Sequence, residues 1–436
     1  MILPCREADS DPLASANPQR AAVTCAVHFI STGGKVINTE TGFVPGEELS
    51  ARLARFKANL SAAHKGWELC AITGYVSLFY FTGTLCDGLM LLRRNGESTL
   101  WVRKSYERAL LESAFTDIRP MKSFRDVADS AGKLPKTIYL DTACATLEWY
   151  GMLTKYLPFS HVLPVDKIIL QTRAVKSEYE LERMRTAGAT VDRLLRDEFP
   201  AMLREGISEA ELGSDLLSLY MKNGYQGINR FSMRSGEMLL GHVAFGESAL
   251  YPSVFDGASG VAGLCPAVPV LGSNNRRLRE GDLIFVDTCF GYDGYQVDKT
   301  IVFSYKQEQP AHVVAAHRHC LGLERQAVAI LRPGSVPSDI YIEVAGSVDL
   351  EHRDSFMGIS GRQVKFIGHS TGLYSDETPV IAKGFDAPLE AGMTIAIEPK
   401  IGIEGVGMVG VENTYLITED GAVCITGSSS DIVVCR

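Results

Sequence analysis

Four acidic residues stand inside stretches that otherwise read as apolar strand. Asp287 follows Ile284-Phe285-Val286, Asp298 lies within Tyr295–Phe303, Glu398 follows Ile395-Ala396-Ile397, and Glu412 follows Val411 in a run that ends at Ile417. Text of this kind belongs in the interior of a sheet, where a carboxylate must be neutralised. Leu283–Cys289, the turn Gly291-Tyr292-Asp293-Gly294 and the return Tyr295–Phe303 read as a hairpin. Centred between Tyr292 and Asp293, it sets Asp287 opposite Asp298. A second hairpin, Thr394–Ile403 with Val406–Ile417 around Gly405, sets Glu398 opposite Glu412. Like charges directly opposite on paired strands are destabilising. Two matched acid pairs therefore call for cations between them, and a divalent ion serves best. His369, between Gly368 and Ser370, is the obvious imidazole to complete the set. Carboxylate-rich ligation with one histidine suits Mn²⁺, Co²⁺, Fe²⁺ or Zn²⁺ in a paired site. Such a pair polarises a carbonyl and holds a bridging hydroxide, which is hydrolytic chemistry.

The rest of the chain organises around these hairpins. Residues 1–45 show no sustained period and read as an irregular lead-in. Residues 46–175 read as a small α/β domain: a helical pattern (Leu53, Phe56, Leu60), a β-like run from Glu68 to Phe81, strands at Leu89–Leu92 and Thr99–Val102, then helix-like Tyr106–Ala114 and Phe124–Ala131. From Lys176 a second domain, 176–436, opens on the capping box Ser177/Glu180, followed by Leu181, Met184, Gly188, Val191 and Leu195 on one helical face. A second box, Ser208/Glu211, starts another helix that ends near Gly224. Helices at Ala311–Leu331 and Ser338–Leu350 precede the second hairpin. The order helix, helix, hairpin, stated twice, suggests a duplication with two sheets facing one cleft. The fold class is α/β, or α+β in the second domain.

Asp287 with Asp298, the run Gly368-His369-Ser370-Thr371-Gly372-Leu373, Ile397-Glu398-Pro399 and Val411-Glu412-Asn413-Thr414 together resemble the five-ligand pattern of the pita-bread metallopeptidases, family M24. The step between the glutamates, the large N-terminal domain, Phe79-Tyr80-Phe81-Thr82-Gly83 and Lys176-Ser177 resemble its Xaa-Pro aminopeptidase, prolidase and creatinase branch. The resemblance implies a creatinase-like N-terminal domain and a pita-bread catalytic domain. It implies two divalent ions, Mn²⁺ or Co²⁺ first and Zn²⁺ or Fe²⁺ next, on Asp287, Asp298, His369, Glu398 and Glu412. Glu398 would be the general base, a small peptide or other small molecule the substrate, an Xaa-Pro bond the first candidate, and a homodimer the assembly.

Three positions depart from that pattern. Pro269-Val270 stands where the family has Pro-His, Asp376 where a second histidine precedes Glu377, and Gly410 where an arginine lies two residues before the last glutamate. The metal cage is complete while the groups that move protons around it are rebuilt. His242 is one substitute for proton transfer, if its loop folds over the cleft; a lone histidine is more often structural. Asp376 is open between a replacement acid, an anchor for a substrate amine and a loop residue. A metal-dependent lyase or amidohydrolase acting on a small metabolite is the alternative activity, and a non-catalytic binding protein on the same fold is the alternative class.

Lys+Arg 43 against Asp+Glu 52 gives a net charge of −9, which argues against nucleic acid or an anionic membrane as partner. No apolar run is long enough to span a bilayer, and the acidic, proline-broken start reads as no secretory leader, so a cytoplasmic protein is expected. The ten cysteines include no CxxC pair. Three further signals are weaker than they look. Gly368-His369-Ser370-Thr371-Gly372 matches a nucleophile elbow without the helix that motif needs. Gly405–Gly410 matches a dinucleotide loop but runs into strand text. His312, His317 and His319 share a helix without a His-x3-His step, and Cys265 and Cys289 are placed near the cleft, where a catalytic thiol is no more than a guess from sequence.

Overall fold

The computed structural model describes residues 43–232, 236–255 and 257–436, with the side chain of Glu237 also left aside. The irregular segment expected at 1–45 lies almost wholly outside the described residues. Two compact units divide between Asp166 and Lys167.

In the first unit, α1 (Gly46–Ala63) leads into a six-stranded sheet. Its strands are β1 (Leu69–Ile72), β2 (Gly88–Arg93), β3 (Ser98–Val102), β4 (Ile118–Pro120), β5 (Thr137–Leu140) and β6 (His161–Pro164), in spatial order β4-β3-β2-β1-β5-β6. The expected β-like run from Glu68 to Phe81 is a strand only as far as Ile72. Tyr75–Thr82 forms the helix α2, capped at its C-terminal end by the left-handed Gly83. Nearly every residue of α2 is buried, so its apolar text carries no periodicity to mark it as helical. Phe124–Ala131 is a helix, with Ser123 and Asp126 forming a capping box. At the end of β5, the fully buried Asp141 accepts hydrogen bonds from the backbone N–H groups of Thr73 and Gly74.

The helix Asp166–Ala174 starts at the division, its first residue in the first unit, and the helices Glu178–Arg193 and Glu209–Lys222 follow in the second. Both expected capping boxes are formed: Ser177 with Glu180, and Ser208 with Glu211. The buried stripe Leu181, Met184, Gly188 and Val191 turns inward, and a Cβ at Gly188 would lie 2.0 Å from the carbonyl oxygen of Ile425. Glycine there lets the chain cross directly against the helix. A short ribbon, β7 (Asn229–Arg230) with β8 (Glu237–Met238), comes next.

The expectation of two sheets is corrected to one. A nine-stranded sheet runs β13-β12-β14-β17-β11-β10-β9, with β18 on β17 and β19 on β11. The members are β9 (Gly241–Phe245), β10 (Leu283–Tyr292), β11 (Tyr295–Tyr305), β12 (Phe366–Ser370), β13 (Glu377–Ala382), β14 (Thr394–Ile397), β17 (Glu412–Thr418), β18 (Gly421–Cys424) and β19 (Val433–Cys435). Between β14 and β17 the chain makes a separate ribbon, β15 (Lys400–Ile403) with β16 (Gly407–Gly410). The two hairpins join edge to edge because β11 pairs with β17, at Lys299–Asn413 and Thr300–Glu412. Helices Ala311–Ile330 and Pro337–Gly346 connect them in sequence. Among the described residues no helix is long and apolar enough to cross a membrane.

The first hairpin also differs in register from the sequence reading. Tyr292 pairs with Tyr295, so the turn is the two-residue Asp293-Gly294, with φ of 47° and 95°. This is the type I′ geometry that Asp-Gly favours, because its twist matches that of the strands. Asp287 therefore faces Thr300, and Asp298 faces Cys289. The slip is an even number of residues, so the acids keep a common face as diagonal neighbours rather than direct partners. The second hairpin has the expected register about Gly405: Ile397 pairs with Asn413 and Lys400 with Gly410. Pro399, which has no N–H to donate, marks where this hairpin leaves the large sheet for the ribbon.

Candidate metal centre

The five expected ligands lie on two neighbouring cross-strand rows of the nine-stranded sheet. One row runs His242, Asp287, Thr300, Glu412, through the pairings of β9 with β10, β10 with β11 and β11 with β17. Glu398 adjoins its far end, one residue beyond the Ile397–Asn413 pair. The other row runs Cys289, Asp298, then Thr414, whose hydroxyl bonds the Asp298 backbone, then Ala396 and His369. Residues two apart on a strand share a face, so both rows aim at the same space.

That space is the floor of a cavity of about 370 Å³, with Phe231, Met238, Phe255 and Phe366 on its walls. Asp298, His369 and Glu412 each offer a ligand atom there, all within 4.8 Å of one another. His369 Nε2 is 3.3 Å from Glu398 Oε1 and 3.8 Å from Glu412 Oε1. Glu412 Oε1 is buried and has no hydrogen-bond partner. A buried carboxylate oxygen left so is costly unless something charged meets it. The donor set of two carboxylates and an imidazole, with this orphaned oxygen, fits a divalent ion of the Mn²⁺–Zn²⁺ series.

The other half of the cage is already filled by the protein. Lys400 Nζ donates to Asp287 Oδ2 at 2.9 Å, Glu398 Oε2 at 2.8 Å and Glu412 Oε2 at 2.8 Å. Its side chain is 3% exposed. Asp287 Oδ2 also accepts from Ser259 Oγ, and Glu412 Oε2 from Thr300 Oγ1, each at 3.1 Å. The electrostatics divide the same way. Burial works to raise Asp287 and Glu398, but the Lys400 ammonium holds both below their ordinary values. Burial, with Asp287 nearby, pushes Asp298 up to about 6, and burial with the Asp298 charge raises Glu412 further. His369 is raised to about 10: burial alone would lower it, and the hydrogen bond and charge of Glu398 overcome that. The Lys400 half of the cage holds a full ammonium, and the other half holds the His369 imidazole, which gives up its proton to any ion it ligates.

Lys400 is the residue that sequence reasoning missed. Its signal was present: a lysine two residues beyond Glu398, in strand text, directly across the hairpin from Gly410. The glycine noted as a departure and the lysine face each other across the ribbon.

The remaining expected residues take these places. His242 lies beside Asp287 on the next strand, stacked on Phe255 at 5.4 Å, with Nδ1 3.4 Å from Ser259 Oγ. Burial lowers its pKa against the pull of Asp287, so it is a neutral imidazole at the cavity wall. Asp376 lines the cavity mouth and is engaged by Ser232, whose hydroxyl donates to Oδ2 at 2.8 Å. Val270 is not among the cavity-lining residues. Cys289 lines the cavity, but its thiol is pushed far up by burial and donates to Asp298 Oδ2 at 3.0 Å; it is a hydrogen-bond donor, not a nucleophile. Cys265 is exposed and away from the cavity. Ser370, in the elbow-like run, is buried in a strand and accepts from Lys176 Nζ at 2.9 Å. His317 hydrogen-bonds the Ser430 carbonyl, and His319 lies by Asp349, so the helical histidines do not converge.

The sequence of this chain matches the model of metallopeptidase family M24 over residues 182–419 and that of the creatinase/prolidase N-terminal domain over residues 52–175. It is 29% identical over 296 residues to a probable dipeptidase PepE of Mycobacterium tuberculosis, covering 65% of this chain and 69% of that protein. It is 25% identical over 365 residues to an Xaa-Pro dipeptidase of Pyrococcus furiosus, covering 82% and 93%. Among solved structures, dipeptidase PepE from Mycobacterium ulcerans superposes with a TM-score of 0.74 at 24% identity, over 90% of this chain and all 100% of that one. A prolidase from Pyrococcus horikoshii gives 0.72 at 20%, over 88% and 100%. These superpositions speak for the fold, and the family model spans more than half of the chain. It belongs to metallopeptidase family M24, as a hydrolase of pita-bread fold in the branch that carries a creatinase/prolidase-type N-terminal domain.

Proposed function

We propose that this protein is a metal-dependent peptidase that cleaves a small peptide or amide in the cavity above Asp298, His369 and Glu412, with Xaa-Pro bonds the first substrates to try. The observation that supports this most is the buried, partnerless Glu412 Oε1 facing His369 on the cavity floor. Asp298, His369 and Glu412 would hold the ion, which when bound polarises the scissile carbonyl and helps activate water. Mn²⁺ or Co²⁺ is the proposed metal. Glu398 is the proposed general base. Lys400 fixes its Oε2 and holds its pKa down, while Oε1 meets His369 Nε2 at 3.3 Å on the cavity floor. General-base help of this kind is worth roughly 10²–10⁴-fold. His242, neutral and at the wall, is the proposed second proton carrier; Phe231, Phe255 and Phe366 exclude water and select a compact apolar side chain. Asp376 braces the Ser232 loop at the mouth. The proposed assembly is a homodimer in the cytoplasm.

The test is a panel of Xaa-Pro dipeptides and longer Xaa-Pro peptides offered to the Mn²⁺- or Co²⁺-loaded protein, with Asp298→Ala and Glu398→Gln in parallel. Cleavage that needs metal and vanishes in both variants is expected. Absence of cleavage by a metal-loaded wild type sinks the peptidase reading. It would favour a lyase or amidohydrolase on a small metabolite, a second reading that the substitutions at Val270, Asp376 and Gly410 support.

A further inference from the structure

We propose that this centre binds one divalent ion rather than two, and that the Lys400 ammonium permanently holds the position between Asp287, Glu398 and Glu412 that a second ion would need. The proposal rests on the metal-dependent reading only in taking the centre to bind a divalent cation. What is cleaved does not enter it.

The first argument is saturation. An ammonium has three N–H donors, and Lys400 has three carboxylate acceptors at 2.8–2.9 Å, one from each acid. A divalent ion on the same oxygens sits at about 2.0–2.2 Å from them, so it and Nζ cannot share the position. To admit the ion, Lys400 would have to withdraw its charge from a site in which it is almost wholly buried and hydrogen-bonded.

The second argument is that the lysine's path is built into the backbone. Gly410 lies directly across the ribbon from Lys400, with φ of +147°. A Cβ there would be 2.5 Å from the Pro399 carbonyl oxygen, 2.8 Å from Lys400 Cα and 2.9 Å from Lys400 Cγ. Any side chain at 410 would collide with the residue whose ammonium reaches the cage. The ribbon is shaped to pass the lysine stem, so its position is not an accident of an idle surface residue.

The third argument is what is left. Glu412 divides its two oxygens: Oε2 belongs to Lys400 and Thr300, while Oε1 accepts no hydrogen bond from the described residues and has His369 Nε2 at 3.8 Å. Asp298 and His369 complete a three-residue set around that free oxygen. Asp287, taken up by Lys400 and Ser259, is not part of it. Two dications would neutralise the four carboxylates; one dication with one ammonium leaves a net negative centre. Lys400 thereby acts as a positioning residue that sets the aim of Glu398.

The experiment counts metal. Full-length wild type, Lys400→Ala and Lys400→Met, each stripped and then titrated with Mn²⁺, are followed by metal analysis after dialysis and by electron paramagnetic resonance. One equivalent with an uncoupled Mn²⁺ spectrum is expected for wild type and for K400M, whose stem still fills the position. K400A is expected to take a second equivalent and show a spin-coupled pair. Two coupled ions in the wild type would overturn the inference while leaving the metal-dependent reading intact. No bound ion in the wild type would overturn both. K400A remaining at one equivalent would also overturn it, because the lysine would not then be what excludes the second ion. Should K400A fail to fold, anomalous diffraction from wild-type crystals grown with Mn²⁺ decides the matter. A single peak at Asp298, His369 and Glu412 supports the inference, and a second at Asp287 and Glu398 defeats it.

Discussion

The second unit buries two clusters of charge, and they are balanced in opposite senses. Around Glu377, two cations flank the carboxylate and its charge is met: Arg173 pairs with Oε1, and Lys176 Nζ lies 3.4 Å from Oε2 while donating to Ser370, with the buried Glu180 also acting on Lys176. All four side chains are nearly inaccessible. Around Lys400, one ammonium serves three acids, and Asp298 close by accepts from the Cys289 thiol rather than from a lysine or arginine. The first cluster has no need of anything from solution. The second is short of positive charge and opens on a cavity. A buried ion cluster with its charge met is architecture, and one with charge in deficit is a binding site; the local count of cations tells them apart where burial does not.

The sharpest way to break this contrast is to remove one group from each cluster. Arg173→Met leaves Glu377 with Lys176 as its cation and is expected to cost about 3–5 kcal/mol of stability, the usual penalty for halving a buried ion pair. Metal affinity should stay unchanged. Glu412→Gln should do the reverse. The denaturation midpoint of the metal-free protein should hold or rise, since one like charge leaves a crowded site. Mn²⁺ affinity should fall by more than the roughly 10–100-fold that loss of an outer partner costs a metal site. Urea unfolding with a metal titration on each variant reads both axes. If R173M loses metal, or E412Q loses stability, the division between the clusters is wrong.

A smaller effect tests the Glu377 cluster by pH. Burial works to raise Glu377, but the Arg173 and Lys176 charges hold it below its ordinary value of 4.5. As pH falls, the unfolded chain therefore takes up this proton first. The stabilisation is fully present above 4.5 and is lost as pH drops through the depressed native pKa. Unfolding midpoints of wild type and Glu377→Gln measured between neutral and acid pH should converge as pH falls, with the variant showing the flatter profile. Parallel profiles would contradict the assignment.

The mildest test concerns the ribbon. Gly410→Ala should cost about 1–3 kcal/mol, the range for overpacking, because its Cβ meets the Pro399 carbonyl and the Lys400 backbone. Shifting that strand should also loosen Lys400, so a trace of second-ion binding is expected where wild type has none. A G410A variant as stable as wild type would mean that the ribbon does not guide the lysine.

Much of this was legible in the residues. The alternation of apolar residues around Asp287, Asp298, Glu398 and Glu412 marks the hairpins, and the side-chain period of two brings the acids to one face even though the first register is displaced. That displacement came from reading Gly291–Gly294 as the turn when Asp293-Gly294 alone makes it. Tyr75–Thr82 escaped because its text is apolar all round, exposed Tyr75 included, and shows no polar stripe to mark its period. The joining of the hairpins through Thr300 and Glu412 is a long-range pairing, and local text carries no sign of it. Lys400 was the instructive omission. Long cationic side chains in strands ordinarily reach for water. Only the second hairpin's register, which sets glycine opposite, reveals that this one has a way inward.

Lys400 is also a cation on a tether. Its effective concentration at Asp287, Glu398 and Glu412 is set by the backbone of a short ribbon, not by what is dissolved outside. On the one-ion proposal, chelators, dilution and competition from other metals would act on the Asp298, His369 and Glu412 half alone. When the soluble ion leaves, three of the carboxylates are still held together by a charge that has no way to diffuse off.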